Sequence, residues 1–171
     1  MKSKTGEKSK SYTFEITIRP MRKSDLPFVH KGVCETNWQD IPPTLRKDAK
    51  RDECDKRIIE EFDAFLKTRR YRFKVYVAVQ NKIPVGFISI GELKNHATGL
   101  PGGSLLDFWV EPECRRHGIG TRLFDHAAEK LLEQGYTHWG VMVSPSNKAS
   151  LHVLEKRGFS PGYLSMYKEL E

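Results

Sequence analysis

The sequence predicts a mixed α/β fold, a sheet covered by helices and built as a single domain. Three observations lead there. Segments with the two-residue alternation of strands are interleaved with segments of helical period, and in the C-terminal half the two kinds take turns. The central strands instead follow one another through a short turn, as a hairpin does. Finally, 171 residues without an internal repeat or a second domain boundary fit one core, and 38% hydrophobic residues with nine Phe and three Trp suffice to build it, which excludes a wholly disordered chain.

Each element has its own warrant. Residues 1–12 are rich in Lys, Ser and Gly and read as a flexible basic tail, leaving 13–171 as the folded domain. Phe14 to Pro20 alternates apolar and polar residues, a strand. Ser24 and Asp25 offer an N-cap to a short helix carrying Leu26, Val29 and Val33, with Pro27 in the first turn where its missing N–H costs nothing. Thr36 to Thr44 reads as a loop broken by Pro42 and Pro43. Ile58, Ile59, Phe62, Phe65 and Leu66 share one face of a second helix. Tyr71–Gln80 and Pro84–Gly91 are strands around an Asn81-Lys82 turn that lacks the favoured glycine. Leu93–Gly103 is a loop, and Ser104–Val110 a strand apolar enough to be buried on both faces. Gly118–Gln134 is a helix lined by Ile119, Leu123, Phe124, Ala127, Leu131 and Leu132 and capped by Gly135. Thr137–Val143 is a strand, Asn147–Arg157 a helix stopped by Gly158, and Phe159 with Tyr163–Leu170 supplies the last strand or two.

Charge narrows the function classes only partly. With 29 Lys and Arg against 22 Asp and Glu, the net charge is +7, compatible with nucleic acid, an acidic surface or a phosphate-rich small ligand. Nucleic acid lacks support from any recognition motif or aromatic-basic interleaving. The run at 46–57 mixes both signs and reads as a solvated helix face. No apolar run approaches the ~20 residues needed to cross a bilayer, and residues 1–12 lack the apolar core of a secretory signal, so no membrane partner and a cytoplasmic location are expected. Cys34, Cys54 and Cys114 are far apart and odd in number, which suits reduced packing thiols, and His30, His96 and His138 show no metal-ligand spacing; no metal is expected.

The densest chemical signal is Val110–Leu123, V-E-P-E-C-R-R-H-G-I-G-T-R-L. A strand ends, a basic turn follows, and a helix opens inside a glycine pair. Gly118 and Gly120 let a ligand approach the backbone. The free first-turn N–H groups and the helix dipole form an anion site, with Arg115, Arg116 and Arg122 adding charge and Thr121 a hydroxyl; a pyrophosphate is the natural guest. The P-loop is excluded because no Gly-Lys-Ser/Thr follows. The dinucleotide fingerprint is excluded because Leu123 stands where a third glycine is required.

A second motif, N-K-A-S-L-H-V-L-E-K-R-G-F at 147–159, together with R-R-H-G-I-G at 115–120, resembles the GNAT superfamily of acetyl-CoA-dependent N-acetyltransferases. The first family motif is matched by Arg115, Gly118 and Gly120, and the second by Asn147, Lys156, Gly158 and Phe159. I-R-P-M-R-K-S-D (18–25) and V-G-F-I-S-I (85–90) fit the family's N-terminal half, so the likeness spans roughly 14–170.

The resemblance implies a mostly antiparallel sheet with helices on both faces and a splayed parallel strand pair, 104–110 with 137–143, at the cofactor slot. It implies that Phe108, Trp109 and Val110 offer backbone groups to the pantetheine arm and that Arg115, Arg116, His117, Gly118, Ile119, Gly120 and Thr121 wrap the pyrophosphate. Asn147, Leu154 and Lys156 would complete the acetyl-CoA site, and the Phe108 N–H would stabilise the oxyanion. Gly120→Asp is expected to abolish acetyl-CoA binding by setting a carboxylate against the pyrophosphate. Leu154 stands where the family often has the Tyr that protonates the departing thiolate. Water, His152, Tyr163 or Tyr167 could serve, or the thiolate, of pKa about 8.5, could leave unaided.

An acceptor amine of pKa about 10.4 is neutral in only about one part in a few thousand at pH 7, so a base is required. Asp107 matches an acidic position of some small-amine acetyltransferases, Glu92 and Glu111 are weaker alternatives, and a structural hydrogen-bonding role for Asp107 has equal weight. Trp38 and Asp40 lie in the loop that usually shapes the acceptor pocket. The acceptor could be a small-molecule amine or a protein lysine or N-terminus, the last disfavoured by Met142 where that branch often has a polar residue. A homodimer is compatible with this reading, and a CoA-binding module without turnover is the alternative.

Overall fold

A computed structural model describes residues 15–68, 70–95, 98–162 and 166. Its sheet contains β1 (Ile16–Pro20), β2 (Lys74–Gln80), β3 (Ile83–Lys94), β4 (Pro101–Val110) and β5 (Trp139–Val141), in that spatial order. The first three pairings are antiparallel and β4–β5 is parallel. The helices are α1 (Leu26–Asp40), α2 (Pro43–Arg46), α3 (Arg51–Lys67), α4 (Ile119–Glu133) and α5 (Lys148–Lys156). Short 3₁₀ turns precede α1 and β2 and follow β4.

The sheet separates two cores. On one face Tyr76, Ala78, Ile88, Leu105 and Val110 pack against Leu123, Phe124, Ala127 and Leu131 of α4, with Leu154 of α5. On the other, Val75, Val77, Phe87 and Trp109 meet Val29 and Val33 of α1 and Phe62 of α3. Helix α1 lies so close to the sheet that a Cβ on Gly32 would stand 2.5 Å from the Phe87 ring and 2.7 Å from Trp109.

The hairpin expected at Asn81-Lys82 forms with both residues in the left-handed region, φ 49° and 68°, the geometry of a type I′ turn. Gly135, φ 87°, ends α4 as anticipated. Several boundaries differ from the sequence reading: β2 begins at Lys74 rather than Tyr71, which is left-handed at φ 66°, and β5 spans only Trp139–Val141 of the expected 137–143. The stretch expected to loop from Thr36 is helical to Asp40, because Thr36 Oγ1 and Asn37 Nδ2 bond back to the carbonyls of Gly32 and Val33. The helix stops only at Ile41, which is extended ahead of Pro42.

The expected 93–103 loop shrinks, since Glu92–Lys94 pair with Pro101–Gly103. Gly102 and Gly103 serve close packing there, where a Cβ would strike His138 and Leu131 respectively. On α4, Leu132 points to solvent, 68% exposed, while its neighbour Leu131 is buried. Phe159 joins no strand but packs on Trp139 with ring centroids 5.1 Å apart. The strand expected over Tyr163–Leu170 lies outside the described residues except for exposed Met166. The mixed-charge run enters α3, where Arg51 bridges Asp55 and Glu35 at 2.8 Å.

Candidate active site between β4 and β5

The parallel ladder is short: Gly103, Ser104 and Leu105 pair with Trp139, Gly140 and Val141, and β5 then ends. Strand β4 runs on to Val110, so its C-terminal half faces an opening among the described residues. Glu111 N–H donates to Val85 on β3, and alternation therefore turns the peptide groups of Phe108 and Val110 toward that opening. Their carbonyls are met from the flanks, Val110 by Arg115 Nε at 2.9 Å and Phe108 by Thr36 Oγ1 at 3.4 Å.

A β-bulge sets which side chains flank the opening. Ser89 pairs with Asp107 and Ile90 with Leu105, leaving Leu106 as the extra residue. Without it, Leu105 and Asp107 would share a face. With it, Leu105 stays in the α4 core while Asp107 turns toward α1. Phe108 turns to α4, its ring 4.7 Å from that of Phe124.

Opposite the open strand stands the start of α4. Gly118 is its N-cap, φ 76°, and Arg116 is also left-handed, φ 68°. The first helical bond is Arg122 N–H to Gly118 O, which leaves the N–H groups of Ile119, Gly120 and Thr121 without helical acceptors. Arg115, Arg116, His117 and Thr121 are exposed there. The Ile119 side chain is in the core, so only its backbone faces outward. The two glycines do different work. A Cβ at Gly118 would meet nothing, and its requirement is conformational, whereas a Cβ at Gly120 would lie 2.9 Å from the Phe108 ring. Arg122 turns away from this cluster and donates to the Ile16 carbonyl at 2.6 Å.

Asp107, 8% exposed, is held at both oxygens. Ser89 Oγ donates to Oδ2 at 2.9 Å and Asn37 Nδ2 to Oδ1 at 3.0 Å, while the Asp107 N–H donates to Ser89 Oγ at 2.8 Å. Burial pushes this carboxyl above the usual carboxylate range, and the two donors oppose the shift. Asn37 also lines a hollow of about 340 Å³ between α1 and α3, with Ile41, Asp48, Cys54 and Ile58. The two weaker base candidates are engaged: Glu92 accepts from Tyr136 Oη at 2.6 Å, and Glu111 from Lys31 Nζ at 2.6 Å.

The remaining predicted positions are dispersed. Trp109 backs the site from the α1 core, and Leu154 is buried beneath α5. Asn147 caps α5, Oδ1 accepting from Ser150 N–H, while its Nδ2 donates to Asp40 Oδ1 at 3.0 Å. Lys156 is exposed at the other end of that helix, roughly 13 Å along its axis. His152 is exposed on α5, Tyr163 and Tyr167 lie outside the described residues, and Met142 is 90% exposed just past β5. Trp38 is flanked by the Arg46 and Arg51 guanidinium groups, 5.9 and 5.2 Å from its centroid. Sequence reasoning missed Asn37 and Ser89. Asn37 fell in the stretch read as a loop, and Ser89 inside a strand with no mark of its own.

The family model of the acetyltransferase (GNAT) family matches residues 35–159, which takes in β4, the α4 N-terminus and Asn147. The chain belongs to the GNAT acetyltransferase family. Solved acetyltransferase structures share the fold over 91% of the chain. A Pyrococcus furiosus protein described as an acetyl transferase is 23% identical and superposes with a TM-score of 0.75 over 91% of this chain and 100% of its own. The aminoglycoside N-acetyltransferase AAC(6′)-Iy, solved with CoA, is 18% identical, with a TM-score of 0.64 over 91% and 95%. A ribosomal-protein-alanine N-acetyltransferase from Brucella melitensis biovar Abortus 2308 is 16% identical, with a TM-score of 0.62 over 91% and 100%. No curated protein matches the sequence of this GNAT chain at a significant level. Among its described residues, no helix is long and apolar enough to cross a membrane.

Proposed function

We propose that this GNAT protein transfers the acetyl group of acetyl-CoA to a primary amine by direct attack in a ternary complex. The observation that carries the reading is the β5-side edge of β4 beyond Leu105, which no strand among the described residues covers and which faces the free N–H groups of α4. An extended pantetheine arm would pair with Phe108 and Val110 as a missing strand does, while its pyrophosphate would sit on the residues from Arg115 to Thr121. The superposition with a CoA-bound aminoglycoside N-acetyltransferase supports the same cofactor.

The acceptor nitrogen attacks the thioester carbonyl carbon, a C–N bond forms, the C–S bond breaks, and CoA leaves as the thiolate. The ammonium proton passes to Asp107 directly or through one water. The Phe108 N–H, turned to the opening, stabilises the oxyanion as charge develops. Leu154 supplies no proton to the thiolate. A covalent route through Cys34 is disfavoured, because burial pushes its thiol up to about 11 and keeps it protonated.

Thiol release from acetyl-CoA across an amine panel tests the reading. Turnover with at least one amine, lost in Asp107→Asn, is expected. Tight cofactor binding without release for any amine would establish the second reading, a CoA-binding module, which buried Leu154 in the acid position favours. The pyrophosphate assignment has a cleaner probe than Gly120→Asp, whose side chain would collide with Phe108. Thr121→Asp sets a carboxylate in the first turn of α4, where it favours the helix dipole. Calorimetry should show at least tenfold weaker acetyl-CoA binding with an undiminished Tm, and unchanged affinity would sink the assignment.

A further inference from the structure

We propose that Asn37 is a positioning residue for the transfer reaction, holding Asp107 Oδ1 as the proton acceptor on the helix side of the site; the inference rests on the reading of Asp107 as base. The two carboxylate oxygens have separate holders. Oδ2 is fixed within the sheet by Ser89, which is fully buried and also takes the Asp107 N–H. Oδ1 is fixed from α1 by Asn37, which lines the hollow between α1 and α3. Asn37 uses both amide hydrogens, one on Val33 O at 2.9 Å and one on Oδ1, so the helix itself locks its rotamer. The carboxylate is thus oriented by two rigid elements, the sheet through Ser89 and α1 through Asn37.

The second consequence is electrostatic. Burial and the carboxylates that face Asp107, Asp40 from α1 and Glu61 from α3, favour its protonated form, and a protonated base cannot act. The Asn37 and Ser89 donors favour the ionised form. Removing the amide therefore raises the pH at which Asp107 ionises.

The test is the pH dependence of kcat/KM for the full chain, with acetyl-CoA and an amine accepted in the panel, in wild type, Asn37→Leu, Asn37→Asp, Ser89→Ala and Asp107→Asn. In Asn37→Leu the acid limb should move up by about 0.5 pH unit or more while KM for acetyl-CoA stays within about twofold. Asn37→Asp keeps the shape and sets a second carboxylate beside Oδ1, so its acid limb should move further; it also carries the comparison if Asn37→Leu does not fold. Acid limbs of both Asn37 variants coinciding with wild type, while Asp107→Asn is inactive, would overturn the positioning role alone. An Asp107→Asn enzyme with the wild-type rate and profile would overturn the base itself.

Discussion

At the scale of single residues, the surroundings of two buried carboxylates, Asp25 and Asp107, push them in opposite directions. Asp25 is 3% exposed, takes both Arg19 guanidinium nitrogens at 2.6 and 3.0 Å, and accepts the Arg22 N–H. The hydrogen bond from Arg19 is the main reason its carboxyl lies below the usual range, outweighing burial. A depressed folded-state pKa contributes stability above the unfolded value of about 3.9 and loses it as pH falls through the folded one. Asp25→Ala should therefore cost about 3 kcal/mol at pH 7, leaving the Arg19 cation without its partner, and the deficit should shrink at the acid end of a denaturation series. A constant deficit from neutrality into strong acid would mean that the residue acts through shape alone. Asp107 has the reverse sign, since burial dominates and raises its pKa, so its ionisation costs stability and pays off only in a reaction that needs a base.

At the scale of elements, the site depends on how α1 and the β4 bulge meet. Gly32 lets α1 lie against Phe87 and Trp109, which brings Thr36 and Asn37 to Phe108 and Asp107. Gly32→Ala should overpack this contact by about 1–3 kcal/mol and lower turnover more than Ala at an exposed α1 position such as Gln39. Equal Tm and activity in the two variants would show that the helix is free to move outward. Most of the strands, the Asn81-Lys82 hairpin and the Gly118 start were legible because each is a local pattern with a local cause. The length of α1 was not, because Thr36 and Asn37 read as loop formers until their side chains bond the preceding turn. The bulge was not, because SLLDFWV carries no mark of an extra residue, and only the pairing with β3 makes Leu106 one. Asp107 was therefore found by its type and by resemblance, whereas its partners Asn37 and Ser89 required the fold.

At the scale of the molecule, the net charge of +7 is distributed rather than concentrated. Lys31, Arg51, Lys130 and Arg157 are paired with carboxylates, and Arg122 is turned away from the α4 entrance to a β1 carbonyl. Exposed Arg116 stands beside the α4 N-terminus together with Arg115, whose Nε donates to the Val110 carbonyl at 2.9 Å. Around Asp107, Asp40 and Glu61 add negative charge. In the proposed complex the cations beside α4 would match the phosphates of the cofactor, and the carboxylates near Asp107 a cationic amine. Exposed charges are screened within about 8 Å at physiological ionic strength and about 3 Å at 1 M, while strand-like backbone bonds are not. Raising salt from 0.05 to 1 M should therefore weaken CoA binding several-fold and leave binding of pantetheine, which has no phosphate, nearly unchanged. Arg116→Gln should flatten the salt dependence for CoA without affecting pantetheine. Parallel salt dependences for the two ligands would place the phosphate contacts away from the α4 entrance.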